Sequence, residues 1–331
     1  MDESFEFPQT VLVTGAAGFI GSKVCELLLG QQVTVIGIDN VNDAYDVRLK
    51  QWRLDQLRDR PGFTFYLIDI TDRALLAERV FGQHAIEAVI NLAARAGVRQ
   101  SLINPWVYVD TNVTGTLNLL DMCHQQQITK FVLASTSSLY GDNPRPFEED
   151  TTTDMPLSPY AASKKAAEAL CYSYHHLFGL DVSVLRYFTV YGPAGRPDMS
   201  LFRFVQWISE GETVTVYGDG KQQRDFTYID DIALGTIKAL RPVGYQIINL
   251  GSDEPVELLQ TITLIEQRLQ QSAHIDFQPF HRADVKATWA SIKRAEQVLE
   301  WRPSITIEDG IAQLVDWYQA NRAWARAIQT R

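Results

Sequence analysis

The sequence is poor in cysteine, and the cysteines it has are far apart. Only Cys25, Cys123 and Cys171 occur in 331 residues, without a Cys-x-x-Cys pair or a cluster of cysteine and histidine. This spacing argues against structural zinc and against a disulfide framework. We expect buried free thiols, as in proteins of a reducing cytoplasm, and no bound metal.

Long hydrophobic runs and net positive charge are also missing. No apolar stretch approaches the roughly 20 residues of a membrane span, and the N-terminal MDESFEFPQT lacks the basic and apolar blocks of a signal peptide. The formal net charge of −10 disfavours nonspecific binding to nucleic acid or to an acidic membrane. We therefore expect a soluble cytoplasmic protein with neither as a partner. An anionic substrate would need a local group of cations.

The first half of the chain alternates strand-like and helix-like segments. Hydrophobic residues make up 46% and charged residues 21%, an ordinary globular balance. Strands that are apolar on both faces and separated by helices predict a doubly wound parallel (Rossmann) α/β sheet. The predicted strands are 10–15, 32–39, 63–70, 88–94 and 130–135.

Glycines separate the first strand from the first helix. VTGAAGFIG contains Gly15, Gly18 and Gly21, which permit a tight turn and offer helix N–H groups to a pyrophosphate. The GxxGxxG spacing departs from the commoner GxGxxG, and alone it would also fit an ordinary strand–helix turn. Asp39 ends the next strand, at about the 20-residue offset of an acid that binds the adenosine ribose. A carboxylate there repels a 2′-phosphate, which favours NAD over NADP.

Further strand ends indicate the same ligand. Asp69 and Ile70 in LIDI can flank the adenine, although Asp69 also fits a helix N-cap. Ala93 and Ala94 in NLAA are small enough to lie against the cofactor. The remaining residues that we expect around the cofactor are Phe19, Ile20, Asn40, Tyr160, Lys164 and Tyr187.

A tyrosine and a lysine occupy one face of a predicted helix. In SPYAASKKAAEAL, Tyr160 and Lys164 stand at positions i and i+4. Such a pair is common by chance, as a buried tyrosine with an exposed lysine. Behind a dinucleotide fold, a lysine ammonium and the positive nicotinamide lower the phenol pKa toward neutrality. The phenolate can then take a proton from a substrate hydroxyl while hydride leaves the adjacent carbon for NAD⁺.

These motifs together resemble the extended short-chain dehydrogenase/reductase family. The resemblance implies that Thr136 is the third catalytic group, which hydrogen-bonds the reacting substrate oxygen. Longer segments, among them AARAGVRQSLINPWVYVDTNVTG and LRYFTVYGPAGRPDMSLFRF, are similar to the UDP-glucuronate 4-epimerases of that family. The similarity runs from about Val11 to about Ile311. It implies NAD-dependent epimerisation of UDP-glucuronate to UDP-galacturonate through a 4-keto intermediate, with hydride removed from and returned to C4.

Four consecutive hydroxyl residues in LASTSSLYG bear on the choice within the family. Sister dehydratases carry an Asp-Glu pair after the catalytic Thr, and decarboxylases resemble them with a Glu at the second position. Here Ser137 and Ser138 stand there, which disfavours dehydration strongly and decarboxylation moderately. We expect Thr136, Ser137, Ser138 and Thr189 to hold the carboxylate of the keto sugar and prevent loss of CO₂. A local turn network is the alternative for the serines.

Other activities stay open at this stage. They are a UDP-glucuronate decarboxylase, an epimerase of another UDP-sugar, and a non-catalytic NAD-sensing protein. The intact Thr136, Tyr160 and Lys164 count against the sensor, which has no need of all three.

Candidate contacts to the substrate follow from the resemblance. It implies that Arg224 contacts the ribose–diphosphate, that Arg99 lies near the sugar and diphosphate, and that Tyr217 lines the uracil pocket. Arg196 lies near the substrate or closes its loop. Each arginine also fits a surface ion pair. The segment HRADV places His281 where glucose epimerases carry a diphosphate-binding Arg, with Arg282 beside it and Asp284 retained, so either His281 or Arg282 can be the contact.

The pattern loosens after about Arg186 into loops rich in Gly and Pro. We assign residues 1–186, with about 225–250, to the NAD-binding Rossmann domain. Residues of about 187–224 and 251–331 form a smaller, interwoven C-terminal α/β domain that binds the UDP-sugar. The resemblance also implies a homodimer in which helices around 106–127 and 159–178 pair. Leu117, Leu120, Leu170 and Tyr174 fit either that seam or the core beneath it.

Overall fold

The strands of the described residues form three sheets. A computed structural model describes residues 5–280 and 285–330. Its strands are β1 Thr10–Thr14, β2 Thr34–Asp39, β3 Phe63–Leu67, β4 Ala88–Asn91, β5 Lys130–Thr136, β6 Asp181–Tyr187, β7 Thr189–Tyr191, β8 Thr213–Tyr217, β9 Gln223–Tyr228, β10 Tyr245–Leu250, β11 Pro255–Glu257 and β12 His274–Gln278.

The large sheet confirms the predicted doubly wound fold. Its seven strands are parallel, in the order β10-β6-β5-β4-β1-β2-β3. Apolar side chains of its central strands are buried on both faces, in two separate clusters, as expected for a sheet covered by helices on each side. The order reverses between β1 and β4, which is where ligands bind in such folds.

Twelve α-helical segments lie in the described ranges. They are α1 Phe19–Gly30, α2 Val47–Asp55, α3 Arg73–Leu75, α4 Val98–Ser101, α5 Trp106–Tyr108, α6 Thr116–Gln125, α7 Pro159–Phe178, α8 Ser200–Glu210, α9 Ile229–Lys238, α10 Leu258–Leu269, α11 Lys293–Leu299 and α12 Ile307–Ala325. Within those ranges no helix has the length and apolar character needed to cross a membrane.

Local sequence explains the ends of α7, the helix that carries the tyrosine and lysine. The Ser158 hydroxyl caps it by accepting from the Ala161 N–H, and Pro159 occupies its first position, both favourable at a helix start. Gly179 ends it with a left-handed φ of 71°, a conformation that costs glycine little.

The helix predicted over 106–127 is divided into three parts. A π-helical segment, Val109–Gly115, separates α5 from α6. Within it, Asn112 turns inward to bond the backbone of Arg95 and the Ser163 hydroxyl. These inward bonds favour the wider π-helical turn, a feature that is frequent at functional sites.

A second core lies beyond the carboxyl edge of the large sheet. It is built from α8, α10 and α12 with the sheets β11-β9-β7 and β12-β8. The α2 helix packs on this second core, since Leu49 is buried in it and Trp52 stacks on Trp324. The buried Asp225 carboxylate accepts from Ser252 and Ala290 and so fixes two further loops.

Candidate active site

One cavity of about 730 Å³ opens at the carboxyl edge of the large sheet. Every site residue predicted from the sequence that lies in the described ranges lines it. From the cofactor set these are Gly15, Gly18, Phe19, Ile20, Gly21, Asp39, Asn40, Asp69, Ile70, Ala93, Ala94, Tyr160, Lys164 and Tyr187; from the other sets they are Thr136, Arg99, Ser137, Ser138, Thr189, Arg196, Tyr217 and Arg224. His281, Arg282 and Asp284 lie outside the described residues.

The glycine loop has no room for side chains. A Cβ on Gly21 would lie 2.0 Å from the Gly15 carbonyl oxygen, and one on Gly18 would lie 2.8 Å from the same atom. Gly15 itself has a φ of +69° and packs on the backbone of Ala93. This tight turn points the start of α1 at the cavity, so its free N–H groups fit a dinucleotide pyrophosphate.

Asp39 lies at the end of β2, where a ribose-binding acid belongs. Its carboxylate accepts from the N–H groups of Ala17 (3.2 Å) and Val41 (2.7 Å). The Lys50 ammonium stands 3.6 Å away. Lys50 was not predicted, because α2 looks like a polar surface helix in the sequence although this lysine is buried.

The Asp69 carboxylate accepts hydrogen bonds within a loop and does not cap a helix. It accepts from Asn40 Nδ2 at 2.5 Å and from the N–H of Thr71 at 2.9 Å, whereas α3 is capped by Asp72. Burial acts to raise the pKa of Asp69, but these hydrogen bonds outweigh it and the net pKa is lowered. Asp69 is therefore an ionised acceptor beside Asn40, at the cavity wall.

Thr136, Tyr160 and Lys164 meet where β5 ends against α7. The Lys164 Nζ donates to the Ala134 carbonyl oxygen at 2.8 Å. Burial raises the pKa of Tyr160, whereas hydrogen bonding with Thr136 and the positive charge of Arg196 act to lower it. In the chain alone, burial outweighs these effects and the net pKa of Tyr160 is raised; the predicted lowering toward neutrality includes the charge of a bound nicotinamide and stays a prediction.

A buried ion pair lies behind the lysine. Glu168, one helical turn after Lys164, pairs with Arg186 at 2.8 Å and accepts from the Ser135 hydroxyl at 2.6 Å. Burial lowers the pKa of Lys164 to about 8, and the negative charge of Glu168 opposes that effect. The i, i+4 spacing of Lys164 and Glu168 was available in the sequence as a signal for this residue.

Cations collect around the cavity despite the acidic composition. Arg99 lies over the Tyr217 ring at 4.5 Å, and Arg196 pairs with Asp198 at 2.6 Å. Arg224 donates to the Gln223 carbonyl oxygen at 2.8 Å. Among the described residues, the basic ones that line the cavity are Lys50, Arg99, Lys164, Arg196, Arg203 and Arg224, and the acidic ones are Asp39, Asp69, Asp142 and Asp198. The local cationic surplus required by an anionic substrate is present.

The sequence of most of the large sheet and of the cavity matches a known family. Residues 11–251 match the NAD dependent epimerase/dehydratase family. The chain belongs to this family. The matched range includes both the glycine loop and the helix that carries Tyr160 and Lys164.

Individual relatives in the family cover nearly the full chain. A UDP-glucuronate 4-epimerase of Thermodesulfobacterium geofontis is 56% identical over 96% of this chain and 98% of its own. A UDP-glucuronic acid 4-epimerase from Bacillus cereus, crystallised with UDP-glucuronic acid and NAD, is 37% identical with a TM-score of 0.87 over 94% and 99%. A UDP-glucose 4-epimerase from Thermotoga maritima is 29% identical with a TM-score of 0.86 over 95% and 99%.

Proposed function

We propose that this protein is an NAD-dependent isomerase that interconverts UDP-glucuronate and UDP-galacturonate at C4 of the sugar through a 4-keto intermediate. One observation carries the proposal: a dinucleotide loop and the Thr136, Tyr160 and Lys164 group line the same cavity, with serines at 137 and 138. The 56% identity to a UDP-glucuronate 4-epimerase over 96% of the chain supports it.

The cofactor site is assigned to the edge made by β1, β2 and β3. The glycine loop holds the pyrophosphate and Asp39 accepts from the adenosine ribose hydroxyls, while Asp69 and Ile70 flank the adenine. When bound, NAD supplies a hydride acceptor and donor for sugar C4 and a positive nicotinamide that lowers the phenol pKa of Tyr160.

Tyr160 moves the proton at the O4 oxygen of the sugar. Its phenolate oxygen takes the proton of the C4 hydroxyl as base, and its phenol returns a proton to O4 after the ring has presented its other face. Thr136 orients O4 through its hydroxyl. Lys164, held by the Ala134 carbonyl oxygen, stabilises the phenolate by its charge. No net oxidation of the sugar results.

A second task falls to the hydroxyl residues. The 4-keto uronate is a β-keto acid and loses CO₂ when its C–C bond aligns with the carbonyl π system. Ser137, Ser138 and Thr189 line the cavity together, and none of them offers a strong general acid or base. We assign them to the substrate carboxylate, which they hold away from the reactive orientation. Arg99, Arg196 and Arg224 neutralise the diphosphate side, and Tyr217 receives the uracil.

The assembly and location belong to the same proposal. We assign a homodimer whose seam uses exposed apolar side chains, since Ile103 and Trp106 are each 77% exposed. Leu117 is also exposed, whereas Leu120 is fully buried in the sheet core. We keep the division into an NAD-binding domain, residues 1–186 with about 225–250, and a UDP-sugar-binding domain, about 187–224 and 251–331. A cytoplasmic location suits the three cysteines, which are buried as free thiols.

The deciding experiment follows the sugar anomeric signals by NMR after UDP-glucuronate and NAD⁺ are added to purified protein. Appearance of UDP-galacturonate without CO₂ supports the epimerase. A UDP-pentose or a stable 4-keto product would instead make the protein a decarboxylase and remove the carboxylate role of the serines. Conversion of another UDP-sugar alone would revise the substrate. Tyr160→Phe is the matched negative control, because it keeps the ring and removes the proton-transfer group.

A further inference from the structure

Arg53 lies between two loops that line the cavity and is only 2% exposed. Its Nη1 donates to the carbonyl oxygen of Ala17 at 3.2 Å and to the Tyr45 hydroxyl at 2.7 Å. Its Nε and Nη2 donate to the Ala194 carbonyl oxygen at 3.1 and 2.6 Å, and Nη2 also reaches Gly195 at 3.2 Å. One guanidinium therefore joins the glycine loop to the loop just before Arg196.

The partners of Arg53 are neutral. The ion pairs found in residues 5–280 and 285–330 do not include it, and its guanidinium also lies over the rings of Phe19 and Tyr45, at 5.7 and 5.5 Å. A buried guanidinium with only carbonyl and hydroxyl acceptors holds backbone in place and does not neutralise an acid. Its planar fork of five donors spans two loops in a fixed geometry, whereas a lysine ammonium offers three donors from a single atom.

The α2 helix, which carries Arg53, also makes polar contacts with other parts of the protein. Lys50 contacts Asp39 in the cofactor half of the cavity. At the other end, the Asp46 carboxylate accepts from the Gln329 N–H and Arg48 donates to the Ala327 carbonyl oxygen. These contacts hold α2 in place, so we expect a change of the glycine loop to act on Arg53 instead of being absorbed by movement of the helix.

We propose that Arg53 is a positioning residue through which cofactor binding orders the 192–199 loop and places Arg196 in the cavity. The inference rests on the proposed function for the identity of the cofactor and the role of Arg196. A ligand that fixes the Ala17 carbonyl also fixes Arg53, so the second loop loses less freedom when the substrate arrives. Coupling of this kind commonly amounts to about tenfold in affinity.

The test measures backbone hydrogen exchange with NAD⁺ alone, so it needs no substrate. Wild type freed of copurified nucleotide is compared with and without NAD⁺, and peptides covering 15–21 and 192–199 are followed. We expect NAD⁺ to slow exchange in both segments by about tenfold. In Arg53→Lys, which keeps the charge, we expect slowing in 15–21 only. Arg58→Met, at a half-exposed position just beyond α2, should behave as wild type.

The outcomes separate this inference from the proposed function. Equal slowing of 192–199 in wild type and Arg53→Lys would overturn the role of Arg53, as would slowing confined to 15–21 in the wild type. No slowing of 15–21 in the wild type would overturn the proposed cofactor site as well. Kinetics give a second readout: Arg53→Lys should raise KM for the UDP-sugar about tenfold while kcat changes less, and a change in kcat alone would contradict the inference.

Discussion

The side-chain oxygens of Thr136 and Ser138 lie 3.2 Å apart, and Thr136 Oγ1 also accepts from the Ser138 N–H at 3.1 Å. Thr136 thereby caps the 3-10 turn Ser137–Tyr140. Its neighbour Ser135 turns the other way, to Glu168. The hydroxyl run thus forms a local turn network that also lines the cavity, and its assignment to the substrate carboxylate stays a prediction.

Removing the serine hydroxyls should change the products. In the double variant Ser137→Ala, Ser138→Ala we expect epimerisation to slow at least tenfold and CO₂ release to rise, because hydrogen bonds to a charged group are each worth about 1.5–3 kcal/mol. The ratio of UDP-galacturonate to CO₂, measured by NMR and CO₂ trapping, checks this. Ser173→Ala, at an exposed helix position, is the control. An unchanged ratio would contradict the carboxylate assignment.

Two glycines at opposite ends of α1 give a matched pair. Gly21→Ala places a methyl group 2.0 Å from the Gly15 carbonyl oxygen, whereas nothing lies within 4 Å of a Cβ on Gly30. We expect Gly21→Ala to lose NAD⁺ binding by at least tenfold in calorimetry and to lower Tm. Gly30→Ala should bind normally and gain up to about 1 kcal/mol of stability from helix propensity. Equal NAD⁺ affinities would show that the turn is not a phosphate site.

The negative charge of Glu168, close to Lys164, should affect the pH above which activity is lost. The mechanism needs the ammonium form, and the pKa of Lys164 is about 8 with Glu168 acting to raise it. Glu168→Gln removes that effect, so the pKa falls further and the alkaline limb of kcat/KM should move to lower pH. The pH profile measures the shift, with Tm recorded because Arg186 loses its partner. Asp316→Asn is the control variant. If the alkaline limb of kcat/KM stays at the same pH in Glu168→Gln, the role assigned to Glu168 is refuted.

The exposed apolar surface before the π-helical segment should hold the dimer together. Introducing charge with Ile103→Glu and Trp106→Glu should convert a dimer to a monomer, since burying each such side chain contributes about 1.5–3 kcal/mol. Light scattering after gel filtration gives the mass. The control is Leu67→Glu, which replaces another exposed apolar side chain and should leave the mass unchanged. A wild type that is already monomeric would end the dimer proposal.

Features that depend on neighbours along the chain could be predicted from the sequence. The buried strands follow from their apolar runs, and the helix expected around 159–178 is present as α7, whose ends carry the local signals Ser158, Pro159 and Gly179. The sheet edge at which the glycine loop and the tyrosine meet follows from the parallel topology. This is why the described residues predicted for the site line one cavity.

Features that depend on distant partners could not be predicted in this way. VRLKQWRLD looks like a solvated helix, but Lys50 and Arg53 are buried, and Arg53 bonds loops that are far away in sequence. The π-helical turn arises because Asn112 bonds Arg95 and Ser163, and no local pattern encodes that. The raised pKa of Tyr160 likewise reflects burial by tertiary structure.

The position of β10 has a consequence for biosynthesis. This strand pairs with β6 at one edge of the large sheet, yet the chain reaches it only after β7, β8 and β9. A nascent chain that has emerged as far as β6 therefore presents an unpaired strand edge, which is a template for aggregation. The protein should depend on chaperones until residue 250 has left the ribosome, and chains truncated before that point should accumulate as insoluble material.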